Sequence, residues 1–333
     1  MIAQINKAYL KLSFGRIYSR FLSYLFFEGR PLTTKGRWFN FVVFTLFRII
    51  CIFPALKKKP AVAFIIGTGR SGTTVLGIGL SSHKEIGFLN EPKAIWHHAY
   101  KREDIVGNYT QGISHYRIGA SEANNRVAAR LKKIYSAYLV LSRNKIVLDK
   151  YPEQVFRTDF IDELLPESKY IFIARNGWDT IQSISRWSEN HGTQQGNDKE
   201  DWWGINDKKW HLLVEDLVKK DDQLSVHYDT IKKVDDHTER AAIEWILTMK
   251  EGLALKERYS KDRLLFIDYE SLTHSPRNMG KKLTEFMGLR EDKTFLDYFD
   301  QILKPNKAKA PIKLPDYLKE EFQNTMRSLG YED

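Results

Sequence analysis

The stretch Phe64-Ile65-Ile66-Gly67-Thr68-Gly69-Arg70-Ser71-Gly72-Thr73-Thr74 constrains this chain most: a short apolar run enters a glycine-rich turn and leaves it as a helix. Such a run reads as a strand buried on both faces. The glycines let the backbone bend tightly, so that successive N–H groups converge on one point, and the helix N-terminus adds partial positive charge there. Thr73 and Thr74 contribute hydroxyls and Arg70 a charge, so Gly67, Thr68, Gly69, Arg70, Ser71, Gly72, Thr73 and Thr74 read together as an anion cradle. Against the pattern G-x-x-x-x-G-K-[ST], Gly67, Gly72 and Thr74 match, but Thr73 stands in the lysine position. A triphosphate needs that lysine to offset its terminal charge; a less charged terminal group does not.

Short apolar runs then alternate with helical patterns. Strands are predicted at Ala61 to Ile66, Ile86 to Leu89, Ile146 to Leu148, Lys169 to Ala174 and Leu264 to Ile267. Helices are predicted at Thr73 to Ser82, Asn125 to Ser142, Trp178 to Trp187 and Arg240 to Tyr259. The alternation implies an α/β fold, a central parallel sheet with helices on both faces and a ligand site at the strand carboxyl ends. Residues 188–233 break the rhythm with Gly192, Gly196, Gly204 and the cluster Trp202, Trp203 and Trp210. They read as an insertion or lid, or as an irregular surface excursion.

Composition is that of a globular protein, 42% hydrophobic and 28% charged, which excludes disorder. The net charge of +10 is informative once located: residues 1–60 hold eleven Lys or Arg against Glu28 alone. Removing these from the 52 basic and 42 acidic residues leaves 41 of each in a neutral body. A nucleic-acid binder would spread its basic residues over the folded domain, so no nucleic acid is expected as a partner. Here Lys7, Lys11, Arg16 and Arg20 interleave with Tyr9, Leu10, Phe14, Ile17, Phe21 and Leu25 at near-helical spacing. That is the pattern of a helix on an anionic membrane surface, or of a helix packed on the body. Trp38 to Leu56 is the most apolar stretch, yet Arg48 interrupts it and Pro54 breaks its end, so it is expected to dip into a membrane rather than cross it. Lys57-Lys58-Lys59-Pro60 marks the boundary between a basic, helical, membrane-associating appendage (1–60) and a catalytic domain (61–333). The single Cys51 suits a reducing compartment, and no secretory pattern is evident, so a cytoplasmic, peripheral membrane location is expected.

Arg70-Ser71-Gly72-Thr73-Thr74 after a strand resembles the 5′-phosphosulfate loop of sulfotransferases dependent on 3′-phosphoadenosine 5′-phosphosulfate (PAPS). A second stretch carries the same resemblance: Tyr170-Ile171-Phe172-Ile173-Ala174-Arg175, then Ser183. In that family an arginine closing a strand and a serine eight positions later grip the 3′-phosphate. A guanidinium fork suits phosphate oxygens, although Arg175 could equally meet Asp179 at a helix start. Asp268-Tyr269-Glu270-Ser271-Leu272, with Pro276 and Phe286-Met287-Gly288-Leu289, resembles the family's Arg-Tyr-Glu-Asp-Leu segment; Asp268 and Ser271 depart from it, which points to structural use. The similarity runs from about Ala61 to near Tyr331, with 188–233 unmatched. It implies a P-loop-like sulfotransferase fold and sulfuryl transfer from PAPS, as co-substrate and without a metal, to an acceptor hydroxyl.

For the chemistry, Glu91 in Leu89-Asn90-Glu91-Pro92 resembles the catalytic glutamate of carbohydrate and tyrosylprotein sulfotransferases, with His97 and His98 as rival bases. Lys150 in Leu148-Asp149-Lys150-Tyr151-Pro152 resembles the family's Lys-x-Pro lysine, which stabilises the bridging oxygen, and Arg70 is expected to support it. His83 reads as a cap of the first helix of the body. Lys304, Lys307 and Lys309 read as exposed charge or as a flap over the 3′-phosphate. A membrane-apposed enzyme with a tryptophan-bearing lid implies a saccharide or glycolipid acceptor. Two rivals stand beside this reading. One is an ATP-dependent small-molecule kinase, in which Asp149 would bind magnesium at the end of its strand; the other is a non-catalytic, membrane-bound nucleotide-binding protein.

Overall fold

A computed structural model of the chain describes residues 4–30, 36–54, 56, 59–110 and 112–331. Lys35, Lys57 and Lys58 of the basic N-terminal set lie outside the described residues. Two helices come first, α1 (Phe14–Phe26) and α2 (Asn40–Ile52). Then follow β1 (Ala61–Gly67), α3 (Thr73–Ser81), β2 (Ile86–Asn90), α4 (Lys93–Ala99), α5 (Asn125–Ser142), β3 (Ile146–Lys150), α6 (Thr158–Leu164), β4 (Lys169–Ala174) and α7 (Gly177–His191). The predicted lid contains β5 (Thr193–Gln195), β6 (Asp198–Asp201), β7 (Gly204–Ile205), α8 (Lys208–Asp216) and α9 (Tyr228–Ile231). The chain ends with α10 (His237–Arg258), β8 (Leu264–Asp268), α11 (Tyr269–His274), α12 (Pro276–Phe286), α13 (Lys293–Ile302) and α14 (Asp316–Ser328).

Five strands form a parallel sheet in the order β2-β3-β1-β4-β8. β1 is buried on both faces because its side chains alternate between two cores. Val62, Phe64 and Ile66 enter the larger core, with Tyr138, Ile181, Ile246 and Phe322, whereas Ala63 and Ile65 enter a smaller one with Leu76, Leu283 and Phe299. From β1 the chain runs to β2 at one edge and returns through β3, then passes to β4 on the other side of β1 and on to β8, and this reversal opens a crevice at the strand carboxyl ends. Residues 193–205 form a separate three-stranded antiparallel sheet.

The N-terminal helices are not free of the body. Phe27, Val43 and Phe47 belong to the same core as Phe64 and Tyr138. On α1 Ile17, Phe21 and Leu22 pack half-buried against the body, but the fully buried residues are polar: Ser19 donates to Asn144 at 2.7 Å, and Arg20 forms a buried pair with Glu28, which also accepts from the backbone N–H of Asn90 at 2.8 Å. Phe14 and Leu25, on the expected apolar stripe, point outward instead. The thirteen residues of α2 rise about 20 Å, short of the roughly 30 Å of a bilayer core. Among the described residues, no helix is long and apolar enough to cross a membrane.

Candidate active site

At the end of β1 the turn is built so that only glycine fits at two positions. A Cβ on Gly67 (φ 142°) would lie 2.7 Å from the Ile173 carbonyl oxygen, and one on Gly72 (φ 96°) 2.3 Å from the Tyr269 ring. Between them Ser71 Oγ donates to the Thr68 carbonyl at 2.6 Å, which closes the turn, and the Leu76 N–H donates to the Gly72 carbonyl, which opens α3. Arg70, at φ 67°, is held in the left-handed region and carries its side chain out of the turn. Glu91, just past β2, has φ 48°. Backbone strain of this kind persists where the surroundings over-determine it, and it gathers at functional sites.

The second cradle meets the first. Arg175, one residue beyond β4, donates from Nη1 to the Arg70 carbonyl at 3.0 Å, and Arg70 Nε donates to Ser183 Oγ at 3.2 Å. Arg175 also pairs with Asp179 at 3.4 Å and lies 4.3 Å over the centre of the Tyr269 ring. Its buried Nε has no partner among the described residues. Asp179 holds the loop before α14 as well, accepting the backbone N–H of Lys309 at 2.7 Å. Burial and then Arg175 push the Arg70 pKa below its ordinary value. Burial and then Arg186, with Arg175 and Arg70 also contributing, do the same to Lys309, against Asp179. Cations crowded to the point of mutual repulsion favour an anionic ligand.

Register brings the third group together. Asn90 pairs with Lys150 across β2 and β3, so Glu91 stands beside the end of the Lys150 strand. Lys150 Nζ donates to Glu91 Oε1 at 2.5 Å, and Lys93 lies 3.5 Å from Oε2. Burial would raise the Glu91 pKa, but Lys150 and Lys93 outweigh it and hold it down at about 2. The carboxylate is therefore charged at neutral pH.

Gly69, Arg70, Gly72, Thr73, Thr74, Glu91, Lys150, Arg175 and Ser183 all line one cleft of about 840 Å³; Gly67, Thr68 and Ser71 lie beneath it as the buried base of the turn. The cleft wall includes residues that sequence reasoning missed. Lys93, Glu153 and Lys209 form a buried run of alternating charge, with Lys209 at 3.3 Å from Glu153 and 2.6 Å from Glu244. Trp187 and Trp202 meet edge to face beside it, and Asn6 and Ala8 wall the cleft from the N-terminal segment. Apart from Trp202, already marked by its tryptophan cluster, no local motif signals these residues, because elements far apart in the chain bring them in.

Other candidates fall elsewhere. His97 and His98 sit on α4 in a different cleft. Asp149 points into the core, where Trp96 Nε1 at 2.9 Å and Tyr135 Oη at 2.6 Å donate to it, and burial raises its pKa to about 7. His83 closes the end of α3 with its backbone, its N–H donating to the Leu80 carbonyl at 3.0 Å, while its ring Nε2 lies 2.8 Å from the Arg290 carbonyl. Trp203 and Trp210 are fully buried under the lid, so of the three only Trp202 faces the cleft. Asp268 caps α11 through the Ser271 N–H at 2.6 Å, and Tyr269 supports Arg175, so the segment's role is structural.

Residues 61–233, just over half of the chain, match the sequence profile of the Sulfotransferase family. Over 140 residues the chain is 29% identical to Nodulation protein NoeE of Sinorhizobium fredii (strain NBRC 101917 / NGR234), an alignment covering 40% of this chain and 33% of that protein. The chain thus spans about a third of that relative's length. Among solved structures, the sulfotransferase domain of the Synechococcus PCC 7002 olefin synthase is 18% identical, with TM-score 0.49 over 84% of this chain and 99% of that one. Sulfotransferase STF1 of Mycobacterium tuberculosis H37Rv is 13% identical, with TM-score 0.45 over 94% and 93%. The kinase reading is thereby set aside, and the chain with its two joined cradles belongs to the sulfotransferase family.

Proposed function

We propose that this sulfotransferase takes the sulfuryl group from PAPS, delivers it to a hydroxyl of a saccharide or glycolipid, and releases adenosine 3′,5′-bisphosphate. The observation that carries this reading is the junction of the two cradles, where Arg70 reaches Ser183 and Arg175 reaches the Arg70 carbonyl. A donor with a phosphate at each end of one nucleoside calls for two anion sites on a shared wall. The cleft volume suits a nucleotide, and the unpartnered Arg175 Nε is a donor awaiting an acceptor.

PAPS supplies an activated sulfuryl group whose bond to the bridging phosphate oxygen breaks as the acceptor oxygen bonds to sulfur. The backbone N–H groups of Gly67 to Thr74, with the Thr73 and Thr74 hydroxyls, hold the 5′ end, and Arg175 with Ser183 holds the 3′-phosphate. Glu91 takes the proton of the acceptor hydroxyl. Lys150 and Arg70 meet the negative charge that grows on the departing bridging oxygen. Residues 188–233 act as a lid over the acceptor end, with the Trp202 face and the Lys93–Glu153–Lys209 run suited to a polyhydroxyl ligand. Residues 1–60 rest on an anionic membrane surface at the cytoplasmic side, a reading supported by exposed Phe14, Trp38, Phe41 and Ile52.

Calorimetric titration of the full chain tests the donor assignment. Adenosine 3′,5′-bisphosphate is expected to bind more tightly than 5′-AMP, and Arg175→Ala to cost it roughly 10- to 100-fold, the worth of a charged hydrogen bond, with little effect on 5′-AMP. Equal affinities for the two nucleotides in the wild type would remove the basis of the reading.

A further inference from the structure

A second cleft, of about 590 Å³, opens between α2 and α4 and has no part in the chemistry above. Its cationic lining is Arg37, Arg48, Lys101 and Arg130, joined by His97 and His98, and no acidic residue lines it. Among the described residues, Arg48, Lys101 and Arg130 have no carboxylate within ion-pairing distance; Arg130 instead donates to the carbonyls of His98 and Ala99 at 3.4 and 3.3 Å. Arg37 reaches Glu200 only at 3.4 Å. The two buried acids that follow Lys101 are occupied: Glu103 lies 3.6 Å from Arg157 and accepts from Tyr151 Oη at 3.1 Å, and Asp104 accepts the backbone N–H groups of Gly107, Asn108, Tyr109 and Thr110 at 2.7 to 3.1 Å. His97, only 4% exposed, has a buried Nδ1 with no partner among the described residues. Burial, then Arg130, Lys101 and Arg48, hold the His98 pKa down at about 4, so its ring is neutral and leaves the positive charge to the arginines and lysine.

The position of this cleft identifies its ligand. Asn40, Phe44 and Arg48 recur four apart on α2 and form the wall of the cleft. Immediately beside them along the helix surface run Trp38, Phe41, Ile49 and Ile52; of these Trp38, Phe41 and Ile52 are 78, 73 and 80% exposed. A solvent-facing apolar stripe bordered by a cleft with an excess of positive charge is complementary to an amphiphile with acyl chains and an anionic head.

We propose that the cleft between α2 and α4 is a phosphate site for the headgroup of an anionic membrane phospholipid, while the neighbouring apolar stripe enters the acyl region of the same leaflet. This rests on the membrane-surface reading given above and sharpens it from diffuse attraction to a discrete site. Asn108 lines both this cleft and the donor cleft, so a bound headgroup sets the mouth of the catalytic cleft at the membrane surface, where a lipid-linked acceptor hydroxyl would be presented.

The test is flotation of the full chain with vesicles of phosphatidylcholine alone or with about one-fifth phosphatidic acid. Three proteins are compared: wild type, Arg48→Gln with Lys101→Gln, and a charge-matched control, Lys7→Gln with Lys11→Gln. All four side chains are exposed, so the variants are expected to fold. The cleft pair should lose roughly 20- to 30-fold in affinity for phosphatidic acid vesicles, about fivefold per cation near the surface, and the control pair much less. Equal losses in both pairs overturn the headgroup site and leave the membrane reading standing, whereas wild-type binding indifferent to phosphatidic acid overturns the headgroup site together with the anionic character of that surface. Flotation with neither vesicle overturns both. A thermal stabilisation by millimolar inorganic phosphate that the cleft pair loses, without any vesicle preference, assigns the cleft to a free anion and overturns the lipid.

Discussion

Glu91 illustrates how one side chain depends on its neighbour. A carboxylate held at about 2 by Lys150 and Lys93 is a poor proton acceptor, since general bases work best with a pKa near the working pH. Lys150 pairs with Glu91 in the free protein; under the proposed mechanism it would turn to the bridging oxygen of a bound donor and so release Glu91. Glu91→Gln is expected to lower kcat by roughly 10²- to 10⁴-fold without weakening adenosine 3′,5′-bisphosphate binding, as measured by labelled-sulfate turnover and calorimetry. The sign of the pH effect follows from the same contact. With the folded pKa depressed, the Glu91 charge stabilises the fold above the ordinary carboxylate range and ceases to do so as pH falls toward about 2. In Lys150→Ala, burial is opposed by Lys93 alone, so the acid limb of the residual kcat/KM profile should move to higher pH. An unmoved limb would mean that another group is the base.

At the scale of elements, helix boundaries were largely readable and helix orientation was not. Periodicity alone defines Asn125 to Ser142, and the cap that fixes its start is Asn124, whose side chain accepts from Arg126 N at 3.1 Å. α1 is different. Its apolar stripe suits a membrane surface or the body alike, yet its fully buried residues are Ser19, Arg20 and Ser23, while Ile17 and Phe21 pack half-buried on the protein and Phe14 and Leu25 face outward. The cause is a buried ion pair that also ties down the strand end beside Glu91: Arg20 holds Glu28, and Glu28 holds Asn90 N–H. Arg20→Ala would leave Glu28 buried and uncompensated, at a cost of roughly 3–5 kcal/mol in urea unfolding. Removing both charges together, in Arg20→Met with Glu28→Gln, should recover most of that loss.

For the whole molecule, the basic N-terminal segment has three places in the architecture. Phe27, Val43 and Phe47 complete the main core, Asn6 and Ala8 wall the catalytic cleft, and Trp38, Phe41 and Ile52 remain exposed. Its removal is therefore expected to disturb the body as well as its membrane contact, so point variants are the sharper probe. Trp38→Ser with Ile52→Ser should reduce flotation with neutral vesicles by an order of magnitude or more, because buried apolar area drives interfacial binding. The unfolding midpoint should not move, since both side chains are already in solvent.

Local chemistry was enough to specify the glycine-rich turn after β1 and the five parallel strands, because glycine placement and apolar runs are properties of contiguous residues. Which side chains share a cleft was decided only by tertiary packing. Glu91 meets Lys150 through strand register, Tyr269 lies under Arg175 through the parallel pairing of β4 with β8 that sets Ala174 beside Asp268, and His97 and His98 turn away because α4 directs them toward α2. Nor could the sequence reveal that the fully buried residues of α1 are polar ones. The hydrophobic pattern fixes how strongly a helix is two-sided, whereas which side finds a partner depends on a buried charge contributed from outside the helix.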